Sequence, residues 1–468
     1  MNSNPFPCND ITPLFTRRDI LKNLACGFGW MAFAGLAGRV SAATTTAHPA
    51  GPLALKAPHF PAKAKRVIFL CMRGGPSHVD TFDYKPKLTA DTDKPGKRPG
   101  TKLLGSQWAF QQQGKSGLWI SDLFPNLGRH ADQMCLVRSM QTDLPAHAQA
   151  FLKLHTGNSQ FVRPSLGAWT LYGLGSVNQN LPGFITLSPP SGFGGAQNYG
   201  SSFLPAIYQA TKIGAENRNI TAASVRNLAT KLSPEAQKAE LELIQKMNRE
   251  ALRRDQYNPE IEGVIESYEL AFKMQTEMPA VMDIIKESEA TKALYGIGNT
   301  ATDDMGKKCL LARKFLEAGV RYVEVCHGNW DQHNRLKESL ERNCGAIDLP
   351  ISGLLTDLAQ RGMLKDTLVV WSGEFGRTPH AQSGDGRDHN NKGFTLWMAG
   401  GGVKGGLSYG QTDDYGYEAV ENKVQIHDLH ATILALQGLD HEKLTYEYAG
   451  RDFRLTDVHG NVVKDIIA

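Results

Sequence analysis

Three histidines and three acids in this chain stand where chemistry is normally done. Glu374 follows the apolar run Leu368 to Trp371 after only Ser372-Gly373. His389 comes fifteen residues later, between Asp388 and Asn390, in a stretch with little apolar content. Asp331 and His333 are two apart and follow another run, Val320 to Val325. In an extended segment both of their side chains face one way. His78 and Asp80 follow a third run, Arg66 to Met72. Carboxylates and imidazoles presented from strand ends form the donor set for a hard or borderline divalent cation. Folding alone does not require that set to recur at several strand ends. The plainer alternative makes Glu374 a helix N-cap, His389 a surface-loop residue, and Asp80 and Asp83 the residues that fix a turn.

The elements that must position these groups read as an α/β chain. Apolar runs at 66–72, 134–138, 184–187, 320–325, 367–371 and 394–399 predict strands, several of them buried on both faces. Helical patterns at about 123–133, 147–157, 166–172, 304–318, 343–361 and 427–437 alternate with them, which predicts a doubly wound, mostly parallel sheet. Ligands of such sheets bind beyond the carboxyl ends of the strands. Residues 215–300 differ: they are rich in Ala, Glu, Lys and Leu with a 3.6-residue period, and predict a helical insertion of two to four helices. Such an insertion is placed to close over the site.

The 468 residues suit one large domain, here 66–468, or two smaller ones. The formal charge is +4, of which residues 1–42 carry +2, so nothing in the balance points to nucleic acid. Arg17-Arg18 precedes a mild apolar stretch, Leu24 to Leu36, and Val40-Ser41-Ala42 fits a cleavage site; together these predict a twin-arginine export signal over 1–42 and delivery to the periplasm or cell envelope. Residues 43–65 read as a leader with little structure. No later apolar run is long enough to span a bilayer, so no stable membrane span is expected after the signal. Cys71, Cys135, Cys309, Cys326 and Cys344 are odd in number, widely spaced and mostly in apolar runs, which reads as buried free thiols. His155 and His430 read as packing residues, and Gly400-Gly401-Gly402 lacks the Lys-Ser/Thr of a phosphate loop.

Gly74-Gly-Pro-Ser-His-Val-Asp-Thr-Phe-Asp83, Trp371-Ser-Gly-Glu-Phe-Gly-Arg-Thr-Pro379, Val424-Gln-Ile-His-Asp-Leu-His-Ala-Thr-Ile433 and Thr445-Tyr-Glu-Tyr-Ala-Gly-Arg-Asp-Phe-Arg454 together resemble the bacterial domain-of-unknown-function 1501 family. The resemblance covers nearly the whole mature chain. At the level of fold that family is similar to the alkaline phosphatase and sulfatase superfamily, which binds one or two metals at strand ends and hydrolyses phosphate or sulfate esters. The resemblance implies metal roles for Asp331, His333, Glu374 and His389. It also shows departures. Arg73 stands where the superfamily has an acid after the first strand, so Asp80 would have to substitute. Phe375 stands where a His follows the acid at Glu374, and His147 stands at the nucleophile's place. With no Cys-x-Pro-x-Arg or Ser-x-Pro-x-Arg, a formylglycine-type sulfatase is not expected.

Three readings follow. The first is an exported hydrolase of sulfate or phosphate esters, acting on a small molecule or polysaccharide. It uses a divalent metal (zinc, calcium or manganese), His147 as general acid/base or further ligand, and Arg73 or Arg377 as an anion clamp. The second is a catalytically inactive relative that binds an anionic polysaccharide or a partner protein, as the missing nucleophile and first-strand acid suggest. The third is a structural envelope protein.

Overall fold

The computed structural model describes residues 51–216, 218–220, 233–254 and 259–468. The predicted export signal, with Cys8 and Cys26, lies outside them.

β1 (Arg66–Met72) is apolar because it is covered on both faces: Val67 to Met72 are all buried. Each large aliphatic side chain so placed contributes roughly 1.5–3 kcal/mol of transfer free energy. Around it lies a nine-stranded sheet. Its other strands are β2 (Met134–Gln141), β3 (Phe184–Leu187), β4 (Thr211–Ile213), β5 (Tyr322–His327), β6 (Thr367–Ser372), β9 (Phe394–Ala399), β10 (Leu407–Tyr409) and β11 (Val424–Gln425). Their order is β10-β2-β9-β6-β1-β5-β3-β4, with β11 also on β2. β1 pairs in parallel with both β5 and β6. Only β9 runs against its neighbours, antiparallel to β2 and to β6. The mostly parallel α/β sheet read from the sequence is therefore the sheet observed.

The helices cover its faces. α1 (His147–Thr156) ends at Gly157, whose φ of 72° is the left-handed turn that glycine takes without strain. α2 is Leu166–Leu174, α5 is Asp303–Glu317, α6 is Leu336–Gln360 and α7 is Ile426–Leu436. The 123–133 helix expectation reduces to a 3-10 segment, Leu127–Gln133, and α6 starts seven residues before the expected 343.

The insertion is helical as read, with α3 (Pro234–Arg254) and α4 (Pro259–Met282). α4 packs on α5 and on the Ala206–Tyr208 turn, with Leu270, Met274 and Met278 buried in the main core. Residues 51–65 form no helix or strand, but Leu53 and Ala64 are buried, so that part of the leader belongs to the folded body. Residues 51–468 form one compact unit.

The clearest departure from the sequence reading is at 376–390. This stretch is a hairpin of β7 (Gly376–Gln382) and β8 (Gly386–Asn390), separate from the main sheet. Its residues are polar because they face a site, so the alternation that marks a strand is missing. Ser383 and Gly384, with φ of 53° and 87°, turn the chain. A bulge between Arg387 and His389 resets the register and places His389 opposite Arg377.

Candidate metal centre

Five segments meet beyond the carboxyl ends of β1, β5 and β6. The loop after β5 brings Asp331 and His333, β6 leads into Glu374, the hairpin brings Arg377 and His389, and α1 begins with His147. The loop after β1 passes beneath them. Gly74 has a φ of 118°, and a Cβ there would lie 2.5 Å from the Asp331 nitrogen. Only glycine fits, and its N–H donates to both Glu374 oxygens at 3.0 Å.

His147, Asp331, His333 and His389 each offer a donor atom within 4.8 Å of all the others. Asp331 Oδ1 is the centre. It lies 3.1 Å from His147 Nε2, 2.8 Å from His333 Nε2 and 3.3 Å from His389 Nε2. The outer nitrogen of each ring is engaged away from that centre. His147 Nδ1 lies 2.6 Å from Glu374 Oε1, His389 Nδ1 lies 2.7 Å from the Pro145 carbonyl, and His333 Nδ1 meets Gln382 Oε1. Donation outward from Nδ1 leaves the Nε2 lone pairs facing inward, the arrangement in which outer acceptors orient metal-ligating histidines.

The donor atoms fit a cation. Among the described residues the buried His147 Nε2 makes no well-formed hydrogen bond, although Asp331 Oδ1 lies 3.1 Å away. His333 Nε2 and His389 Nε2 face each other at 2.9 Å, which sets lone pair against lone pair unless a cation or proton lies between. Zinc–nitrogen bonds of about 2.1 Å put tetrahedral ligands about 3.4 Å apart, a few tenths of an ångström wider than the spacings here.

Arg377 closes the site from behind. Its guanidinium is fully buried, lies 2.6 Å from Asp331 Oδ1 and donates to the carbonyls of Gly75 and Arg387 at 2.9 and 3.2 Å. Burial works against ionisation of Asp331, but the close approach of His147, His389 and Arg377 outweighs it and holds the carboxyl far below the usual range. Burial likewise disfavours the charged form of His147, yet Asp331 and Glu374 on either side raise its pKa above 6.5. Phe193 stacks on the His147 ring at 4.8 Å, and Phe375 lies 4.8 Å away.

The sign of the His147 shift gives a test. Without a cation, the protonated ring adds stability that is complete below its unfolded value near 6.5 and is lost as pH rises through the raised folded value. Cation binding requires the neutral ring and is favoured over the same window. Chelator-treated protein is therefore expected to lose thermal stability from about pH 6.5 upward, and cation-loaded protein to keep it. Parallel melting midpoints in the two states would remove His147 from the site.

Other residues singled out in the sequence lie elsewhere. Glu374 is not among the four clustered donors; it stands behind His147, held by Gly74. Asp80 is fully buried against Arg387, at 2.6 and 3.0 Å, and is not among the four clustered donors. Arg73 pairs with Glu216 and lies 4.9 Å over the Phe193 ring, outside the cluster. His78 is buried on the Gly416 carbonyl at 2.8 Å, and His430 is buried on the Leu154 carbonyl at 2.8 Å. Sequence reasoning missed Gln382, the Pro145 carbonyl and Phe193, and none of them carries a signal in the sequence. The five cysteines of the folded part are buried and free, as read.

The polar cluster thus lies beyond the carboxyl ends of the strands, where open α/β sheets bind their ligands. The family model described as protein of unknown function (DUF1501) matches residues 64–467, and the chain belongs to that family. No curated protein matches. Among solved structures the chain is similar to Ps i-CgsB, at 10% identity over 80% of this chain and 72% of that one, with a TM-score of 0.36. It is also similar to the lipoteichoic acid synthase LtaP from Listeria monocytogenes, at 9% identity over 90% and 80%, TM-score 0.36. A third likeness is to alkaline phosphatase from the Antarctic bacterium TAB5, at 11% identity over 80% and 98%, TM-score 0.33. Among the described residues no helix is long and apolar enough to cross a membrane.

Proposed function

We propose that this protein is an exported, divalent-metal-dependent hydrolase of sulfate or phosphate esters. The observation that carries the reading is the convergence of three imidazole Nε2 atoms on Asp331 Oδ1, each ring fixed from behind. His147, Asp331, His333 and His389 would hold the cation. When bound there, a divalent cation supplies Lewis acidity toward an ester oxygen.

The chain's own residues do the rest. Arg377 neutralises Asp331 and fixes the carboxylate without entering the solvent-facing side. Glu374 holds the His147 tautomer. Arg73 keeps a buried Nε–H with no acceptor, beside the Phe193 ring that touches His147, and is the donor we assign to an anionic substrate group. Asp331 is 38% exposed and His333 30%, so the cluster opens to solvent and water can reach it. Among the described residues no Ser, Thr or Cys side chain hydrogen-bonds to the four donors, so the reading takes water as the nucleophile. Export rests on the Arg17-Arg18 segment of the sequence.

The test is elemental analysis of the exported protein beside His389→Ala, with a panel of aryl sulfates and phosphates. The expected result is loss of one cation per chain in the variant and, with it, all ester turnover. Full metal retention in the variant would overturn the reading. Metal without turnover of any ester would favour an inactive binding relative, the reading suggested by His147 at the nucleophile's place.

A further inference from the structure

A second group of ligating side chains lies inside the core, on the face of the sheet that α1 covers. Cys71 on β1 is in register with Cys326 on β5. Glu324, two residues before Cys326, projects from the same face of β5. His155, near the end of α1, meets them from above. His155 Nε2 is 2.9 Å from Glu324 Oε1 and 3.8 Å from Cys71 Sγ, and Cys326 Sγ is 3.4 Å from the same Glu324 oxygen. The donor atoms of Cys71, His155 and Glu324 all lie within 4.8 Å of one another, and all four residues are buried. His155 Nδ1 donates to the Phe151 carbonyl at 2.7 Å, which turns Nε2 toward the cluster.

A carboxylate in the middle of a covered strand is costly to bury, and one imidazolium partner offsets that cost poorly. The Cys71 thiol, the His155 imidazole and the Glu324 carboxylate, with His155 at 2.9 Å from Glu324 and 3.8 Å from Cys71, instead come close to three corners of a zinc tetrahedron, whose edges run from about 3.3 Å for N···O to about 3.6 Å for S···N; Cys326 lies outside that group of three, 3.4 Å from the Glu324 oxygen. We propose that Cys71, His155 and Glu324, with Cys326 as the fourth donor, form a structural zinc site. On binding, the Cys71 and Cys326 thiols and the His155 imidazolium would each release a proton to solvent. The site is separate from the His147 cluster but shares its helix: His155 is eight residues past His147, about 12 Å along α1.

Sulfur distinguishes the two centres, because the His147 cluster has only nitrogen and oxygen donors. The full-length protein would be produced in cobalt-supplemented medium, so that the chain folds around Co(II), and its spectrum compared with those of Cys71→Ala, Cys326→Ala and His333→Ala. The expected result is a near-ultraviolet thiolate-to-Co(II) band in wild type and in His333→Ala, lost in Cys71→Ala and weakened in Cys326→Ala, together with two cobalt per chain in wild type and one in His333→Ala. A wild-type protein without that band overturns the proposal whether or not the variants fold. A band that survives Cys71→Ala overturns it as well. Neither result bears on the His147 cluster, whose metal His333→Ala removes without touching the band.

Discussion

Asp331→Asn is expected to empty the His147 cluster and bring ester turnover to background. Asp331 Oδ1 is the one atom all three imidazoles face and the one carboxylate on Arg377. Asparagine keeps the shape and an acceptor for Arg377, so the fold should survive, but it removes the anionic donor. Loss of an outer acceptor alone typically costs 10–100-fold in metal affinity, so losing this ligand should cost at least about 100-fold. Metal per chain after dialysis, with circular dichroism as the control for folding, measures it. A folded Asp331→Asn protein with its full cation would show that the cluster is an ion-pair network and nothing more.

The second large effect separates structure from chemistry. Asp80→Asn is expected to destabilise the protein by about 3–5 kcal/mol while leaving its bound metal in place. Both Asp80 and Arg387 are fully buried, and Arg387 forks onto the two Asp80 oxygens. The remaining Arg387 donors go to the carbonyls of Thr378, Pro379 and Leu104. Removing the Asp80 charge leaves a guanidinium with only neutral acceptors. Urea denaturation reads the loss. The pair Asp80→Leu with Arg387→Met should recover most of it, since replacing both buried charges is far less costly than stranding one. If instead Asp80→Asn unfolds normally and lacks a cation, Asp80 is a ligand after all.

The sheet was legible because β1, β5 and β6 are buried on both faces and so read as unbroken apolar runs. The cluster was half legible. Asp331, His333 and His389 announce themselves by type and by position after strands. The role of Glu374 did not, because a ligand and a residue that orients a ligand have the same chemistry and differ only in which side of an imidazole they occupy. The partner of Asp80 was hidden for a related reason: Arg387 is 307 residues away and sits in a hairpin whose polar composition does not announce a strand. His155 read as mere packing, because the acid and thiols that surround it come from β1 and β5, and helix periodicity reports nothing about the neighbouring sheet.

The bond between the Gly74 amide and Glu374 joins residues 300 apart, and that between His147 and Glu374 joins residues 227 apart. Contacts of such long sequence separation close large loops, whose entropic cost grows slowly with their length. The His147 cluster thus exists only where distant parts of the chain have been brought together. A chain cut anywhere between His333 and His389 keeps three of the four donors and lacks the hairpin that brings the fourth.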